Sequence, residues 1–517
     1  MPRASRLAAI VFLAISALVA GPLAAQTEFA TPLARGQLRL DFTPVWSSWD
    51  HRWDQNSTGL IPLTADYATD SLGVSTLPFL QPLQDTLSKV AGAGFALNLG
   101  HPLIALNASV RTMPIGLEYG LTRRLAIGVT VPIVRSRVDV SFQMDSSSLR
   151  KSNVGWNPAF LGDTSVLAFR RQLSAALAAL QTQATSGPAG LRSQAQATIA
   201  ELQPLLAVSY APFLPRGSTD GAKNLATNLQ TADSAYLALA AQYAALGDTL
   251  PQISAPLALP DTTALQTADL ERLFEDPALG IGIDSFATIV RTGIGDITAH
   301  ATYQFADGGR YRGQLIVTTR FPTGQAPSAS NFLDLGTGTH EFGLEAALAS
   351  DVILSRNFLV HAVARAGGSA TDQIQMRVTP PSFPIALLTQ VAEIKRQPAP
   401  YLAFDVDPTW MLDDAFSVRV AYGYFTQGTM RHSYVNAADE LRVGLPASVL
   451  DEGTAMRWMR VGTEVTFLTL DRYSKGRASL PYNVSVGYDN TIWGRGGRVP
   501  QASVFHISFR AFFTLFR

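Results

Sequence analysis

From about residue 37 onward, apolar and polar side chains alternate over runs of about 10 to 15 residues, the period-two pattern of a β-strand with two unlike faces. The last run is the clearest. Phe505, Ile507, Phe509, Ala511, Phe513 and Leu515 share one face, while His506, Ser508, Arg510 and Thr514 share the other, interrupted by Phe512. Strands of soluble sandwiches are usually about half as long. The same alternation sets Met113, Ile115, Leu117 and Tyr119 against Thr112, Gly116 and Glu118. It sets Leu125, Ile127, Val129, Val131 and Ile133 against Gly128 and Thr130, and Phe416, Val418, Val420, Tyr422 and Tyr424 against Ser417, Arg419 and Gly423. Twelve strands are predicted, over 37–48, 105–121, 124–136, 294–306, 311–321, 339–352, 357–368, 398–411, 415–427, 456–471, 478–490 and 503–516. An even number lets an antiparallel bacterial barrel close.

The connections alternate in length. Short turns fall at Thr122-Arg123, Ala306–Arg310, around Ser355, at Asp413-Asp414 and at Ser474–Arg477, and every other link is long: 50–104, 137–293, 322–338, 369–397, 428–455 and 491–502. Long loops gathered at one end belong to an outer-membrane barrel, whose short turns and termini face the periplasm. The expected fold is therefore all-β, a 12-stranded antiparallel transmembrane β-barrel. Trp46, Tyr119, Tyr303, Trp410, Tyr422, Tyr424, Tyr482 and Tyr488 are expected in its two interfacial aromatic girdles.

One segment breaks the pattern. Asp163 to Asp276 is rich in Ala, Leu and Gln at helical spacing: Leu173, Leu177, Leu180; Ile199, Leu202, Leu206; Leu225, Leu229, Tyr236, Leu239, Tyr243; Leu265, Leu270, Leu273. Capping signals at Asp163-Thr164 and Ser218-Thr219-Asp220, with Pro188, Pro204, Pro215 and Pro251 as punctuation, divide it into about four helices. This Ala-rich α-helical insertion lies in the second extracellular loop, as a cap over the pore or as a surface insertion. The first long loop carries apolar clusters at Leu60, Ile61 and Leu63 and at Leu77, Phe79, Leu80, Leu83 and Leu87, which need cover and could find it in the barrel mouth. The expected divisions are residues 1–25, 26–162 (the first three strands with the long first loop), 163–276 (the insertion) and 277–517 (strands four to twelve).

At the N-terminus, Arg3 and Arg6 precede an apolar run from Leu7 to Ala20, broken only by Ser16, and then Leu23, Ala24 and Ala25, the pattern of a secretory signal peptide cleaved after Ala25 or Gln26. No later apolar stretch reaches the length of a transmembrane helix. The chain has 517 residues, of which 47% are hydrophobic and only 15% charged, with 40 basic and 40 acidic residues and no cysteine. The balance supplies no electrostatic footprint for nucleic acid. The missing cysteines exclude thiol enzymes, disulfide scaffolds and cysteine-held metal clusters.

Catalytic motifs are fragmentary. Asp405-Val406-Asp407-Pro408-Thr409 matches the Asp-x-Asp-x-Thr spacing of phosphotransferases of the haloacid dehalogenase type, yet in an antiparallel strand its carboxylates simply share the inner face. His340-Glu341 lacks the second metalloprotease histidine, Gly336-Thr337-Gly338 lacks the rest of a phosphate loop, and Gly494-Arg495-Gly496-Gly497-Arg498 reads as a glycine-rich loop rather than an RNA-binding tract. A barrel hydrolase would need a serine–histidine or aspartate–histidine cluster at the outside rim, for which His432-Ser433 is the adjacent pair on offer.

Several segments resemble a known family. Gly116-Leu117-Glu118-Tyr119-Gly120-Leu121-Thr122 with Leu125-Ala126-Ile127-Gly128-Val129, Gly293-Ile294-Gly295-Asp296 leading to Tyr303, Phe321-Pro322-Thr323-Gly324 and Leu335-Gly336-Thr337-Gly338-Thr339 are similar to the outer-membrane transporters named after the meta-cleavage pathway of phenol degradation, relatives of hydrophobic-compound channels. The likeness covers roughly 110–135 and 293–370. The helical insertion and the final Arg517 depart from it. It implies passive transport of small, hydrophobic or aromatic molecules.

On the inner face the alternation places Arg39, Asp41, Glu118, Asp296, His300, Arg320, Glu341, Glu345, His361, Arg365, Asp405, Asp407, Arg419, Arg460, Glu464, His506 and Arg510. These residues either pair to fill the barrel or line a lumen and set what passes. The function expected is a passive channel, with surface display by the insertion as the alternative and an outer-membrane hydrolase behind both. Expected partners are outer-membrane lipid, a small-molecule cargo and, during insertion, the barrel-assembly machinery. No cofactor and no nucleic acid are expected.

Overall fold

The computed structural model describes residues 33–514 apart from 55–58, 67–68, 146–150, 278–281, 283–286, 332, 381–386, 470–472, 475, 477–479 and 497–498. The leader expected at 1–25 lies outside the described residues. The chain forms two compact units, one of residues 1–67, 105–141 and 273–517 and the other of 68–104 and 142–272.

The first unit is a closed barrel of twelve antiparallel strands. They are β1 (Gln37–Phe42 continued by Val45–Trp49), β2 (Pro102–Gly120), β3 (Leu125–Met144), β4 (Ile289–Ile294 continued by Thr298–Asp307), β5 (Tyr311–Arg320), β6 (Gly343–Ser355), β7 (Phe358–Ser369), β8 (Tyr401–Met411), β9 (Phe416–Gln427), β10 (Met456–Leu468), β11 (Tyr482–Arg495) and β12 (Ser503–Thr514). Each pairs with its neighbours in sequence, and the ring closes where Leu38 of β1 stands opposite Phe513 of β12. All twelve strands read from the alternation are present. Two of the short turns are fixed by side chains: the Thr122 hydroxyl accepts from the backbone N–H groups of Arg124 and Leu125, and the Asp413 carboxylate accepts from those of Ala415 and Phe416.

Burial in this unit is inverted relative to a water-soluble protein. Leu348, Phe404 and Val465 are about half exposed, whereas Asp351, Asp407 and Arg419 are buried. A closed sheet with an apolar outside and a polar inside is what a bilayer demands, because every backbone polar group is satisfied within the wall. The outward apolar set of β3 runs from Leu125 to Ile133 and ends at the exposed Arg135. The eight steps from 125 to 133, at about 3.4 Å each and tilted by roughly 40°, give a band about 21 Å tall, close to the roughly 25 Å of such barrels. A row of aromatic rings, Phe416–Phe467–Tyr482–Phe509, marks its short-turn edge with centroids 5.1 to 6.1 Å apart.

Two of the long loops, 369–397 and 428–455, build a small sheet of Asp372–Arg377, Val391–Gln397 and Arg431–Tyr434 over a core that includes Met376, Ala392, Ile394, Met430 and Leu450. It is tied down by Arg396, which is buried between Asp372 at 2.5 Å and Glu341 at 3.1 Å and also donates to the Thr339 carbonyl. Burial disfavours the charged form, but the Asp372 and Glu341 carboxylates outweigh it and hold the guanidinium above its ordinary pKa.

The second unit contains α1 (Gln81–Ala91), α2 (Thr164–Ser186), α3 (Arg192–Ser209), α4 (Asp220–Ala245) and most of α5 (Thr267–Glu275). The two caps read from the sequence are made: Asp163 accepts from Ser165 N–H, and Thr219 from Ala222 N–H. Pro204 does not punctuate. It lies inside α3, which runs through it because Leu202, Leu205 and Val208 are all buried. Leu77 and Leu87 of the first long loop belong to this unit and are buried. Asn224 and Asn228 of α4 donate to the carbonyls of Ala91 and Val90, capping the C-terminal end of α1.

Candidate functional site

The candidate site is the barrel interior. Along β8 the inward positions, starting from the long-loop end, are Tyr401, Ala403, Asp405, Asp407 and Thr409; along β9, read in the same direction, they are Phe425, Gly423, Ala421, Arg419 and Ser417. The long-loop half of this wall is thus aromatic and the short-turn half charged. Phe425 stacks on Tyr401 at 5.5 Å and on Trp458 at 5.1 Å, and Trp53, Met456 and Val499 complete this apolar patch.

Below it, ion pairs fill the interior. Arg419 donates to Glu464 at 2.9 Å and lies 3.6 Å from Asp407; Glu464 is 2.8 Å from His506 Nε2, whose Nδ1 is 3.5 Å from Asp489. Asp405 accepts from Arg365 at 2.5 Å and from Arg460 at 2.8 Å. On the other side Arg39 bridges Glu118 at 2.6 Å and Asp41 at 2.8 Å, and Arg510 lies 3.1 Å from Asp41. His361 meets Asp351 at 2.5 Å, Tyr401 donates to Glu345 at 2.5 Å, and Arg320 reaches Ser369 at 2.7 Å and Glu341 at 3.3 Å. Each charge is matched because an unpaired one in a low-dielectric interior is costly.

Glycine makes this crowding possible. Arg460 stands opposite Gly423, where a Cβ would come within 2.6 Å of its Nε; His506 stands opposite Gly487, where a Cβ would come within 2.4 Å of its ring. His300, 3.9 Å from Glu118, is opposite Gly128 in the same way. Thr43, His361, Arg419, Glu464, Asp489 and Arg510 are among the residues that line a cavity of about 40 Å³. At roughly 10 to 15 Å³ per water this holds about three waters.

Asp296 stands apart from the paired cluster. It accepts from the backbone N–H groups of Gly324 and Thr339 and from the Thr339 hydroxyl, anchoring the 322–342 loop in the gap between the two halves of β4. His340, at φ 58°, hydrogen-bonds the Gly324 carbonyl in the same loop. The alternation in β6 extends to Asp351, six residues beyond Glu345 on the same face, and that parity was the signal for it. Arg396 had none, because its loop carries no barrel strand. His432 is 2.9 Å from Asp451 and buried, while the neighbouring Ser433 is exposed on the opposite strand face, so the two form no catalytic pair.

No family model matches the chain, and no curated protein matches it significantly. Among solved structures it is similar to an outer-membrane channel of Pseudomonas putida F1, at 9% identity and a TM-score of 0.43, covering 94% of this chain and 99% of that one. It is also similar to the toluene transporter TbuX of Ralstonia pickettii (8% identity, TM-score 0.31, 95% and 94% covered) and to the transport unit of the autotransporter AIDA-I of Escherichia coli (7%, 0.32, 97% and 95%).

Proposed function

We propose that the chain is a bacterial outer-membrane channel, exported by its leader, that passes small hydrophobic or aromatic molecules passively. The observation that carries this reading is the division of the inner wall into an aromatic compartment, Tyr401, Phe425, Trp458 and Trp53, beside a layer of paired charges. Planar rings partition onto aromatic faces. The charges of that layer are paired with one another, which suits poor ion conduction. The test is uptake of a labelled monoaromatic hydrocarbon by cells making the protein, beside single-channel recording. Accelerated uptake with little conductance, and loss of that uptake in Trp458→Ala, is the expected result; uptake equal to that of cells without the protein refutes the reading.

A second reading is display by the helical unit, which has its own buried core and leaves Leu161, Leu237 and Leu246 more than half exposed. Removal of that unit with uptake unchanged and adhesion lost would favour it.

A further inference from the structure

The barrel's outer wall carries a feature that solute passage does not use. Across β1 to β5, near the short turns, lies a groove of about 570 Å³. The register explains it. On β4 the outward positions 299 and 301 are alanines; Ala299 is flanked by Val129 of β3 and Thr319 of β5, and Ala301 by Ile127 and Val317. Two small residues between ridges of larger ones leave a trough, which Leu117 and Leu38 continue across β2 and β1. It spans five strands, about 19 Å at the usual strand spacing. An apolar trough on a wall bathed in lipid is filled by hydrocarbon.

Beside the trough, where β1 meets the β2–β3 turn, the exposed charge is positive, while Asp307 of the next short turn lies 3.9 Å from Arg312. Gly36 N–H donates to the Gly120 carbonyl at 2.9 Å, which brings the start of β1 against the β2–β3 turn. Arg35, Arg123 and Arg124 are all exposed at this junction, and among the described residues none of the three makes an ion pair. The nearby Glu118 is turned inward onto Arg39. Tyr119, on the outer face one residue from Gly120, links the rim to the trough. Arginines at a membrane boundary with no carboxylate partner are suited to phosphate, which a guanidinium meets with two parallel hydrogen bonds.

We propose that this surface binds one glycerophospholipid of the leaflet bathing the short turns, an acyl chain lying in the trough over Ala299 and Ala301 and the phosphate held by Arg35, Arg123 and Arg124. The inference rests on the barrel standing in a bilayer, and it is independent of what crosses the lumen.

The test is native mass spectrometry of the delipidated full chain in detergent, titrated with palmitoyl-oleoyl-phosphatidylglycerol and, separately, with the diacylglycerol of the same chains. The expected result is a single phosphatidylglycerol adduct, no diacylglycerol adduct, and at least a tenfold loss of occupancy in two variants: Ala301→Trp, which fills the trough, and the triple Arg35→Gln, Arg123→Gln, Arg124→Gln, which leaves the wall untouched. Undiminished occupancy in the triple variant, several equivalent adducts, equal retention of the diacylglycerol or preference for lipid A would each overturn the proposal. Every protein is also run unheated and boiled on a mild-detergent gel. A wild type with no heat-dependent mobility would mean that the barrel reading had failed rather than the lipid site, and a variant without it is replaced by Ala301→Leu.

Discussion

Adjacent residues of β9 face opposite worlds, and exchanging the chemistry of one tests the whole orientation. Arg419 points inward to Glu464 and Asp407. Val420 points outward, midway between Phe416, in the aromatic row at the short-turn edge, and Tyr424 toward the other edge. Val420→Arg would place a guanidinium at the centre of the apolar band, at a cost of about 2–4 kcal/mol for a barrel in lipid. At about 1.4 kcal/mol per decade this is a drop of roughly 30- to 700-fold in the folding equilibrium. The inward Thr130, packed near Gly116, should accept Thr130→Ser for about 0.5 kcal/mol or less. Folding from urea into phosphatidylcholine vesicles, read as the heat-modifiable fraction on a gel, measures both. Val420→Arg folding as well as wild type, or Thr130→Ser losing as much, would mean that the register or the membrane is wrong.

Gly423→Ala brings a methyl within 2.6 Å of Arg460 and 2.8 Å of Asp405, so about 1–3 kcal/mol of barrel stability should be lost, measured in the same folding assay. If the insertion lies outside the cell, protease added to intact cells should cut between about Gly187 and Pro260 and spare the barrel; cutting only after permeabilisation would place it on the other side. In the helical unit, Tyr236 donates its hydroxyl to the Pro251 carbonyl, and burial pushes its pKa up to about 12. The neutral form is favoured by folding, so stability is intact below the unfolded value near 10 and falls as pH rises from there toward 12. The helical circular dichroism of Tyr236→Phe should lose that component of the alkaline transition while costing about 1 kcal/mol at neutral pH.

The barrel was legible because a two-sided strand writes its facing into every second residue and its turns into Thr122 and Asp413. The inner charges followed from the same parity, down to Glu464 and Arg510. Which of them pair between strands did not follow, since Arg39 meets Glu118 through the register of β1 on β2, a quantity no single strand contains. Asp296 obeys the parity yet serves a loop, because β4 breaks at that point and exposes backbone groups that need partners. The small sheet went unread for a different reason. Its strands are only four to seven residues long, and their apolar positions, Ile374 with Met376 and Ala392 with Ile394, are too few to separate from loop composition.

The glycines opposite Arg460 and His506 carry a consequence for how this interior can change over generations. While Arg460 is in place, Gly423 cannot gain even one carbon without displacing it. A lineage that enlarges position 423 must therefore give way at Arg460, and at Asp405 beside it, before it does so, and the same order binds 487 to 506. Each glycine and its charged partner form one heritable unit with a one-way path through it. Across related chains these pairs should vary together, and the intermediate in which a larger residue faces the original long charge should be missing.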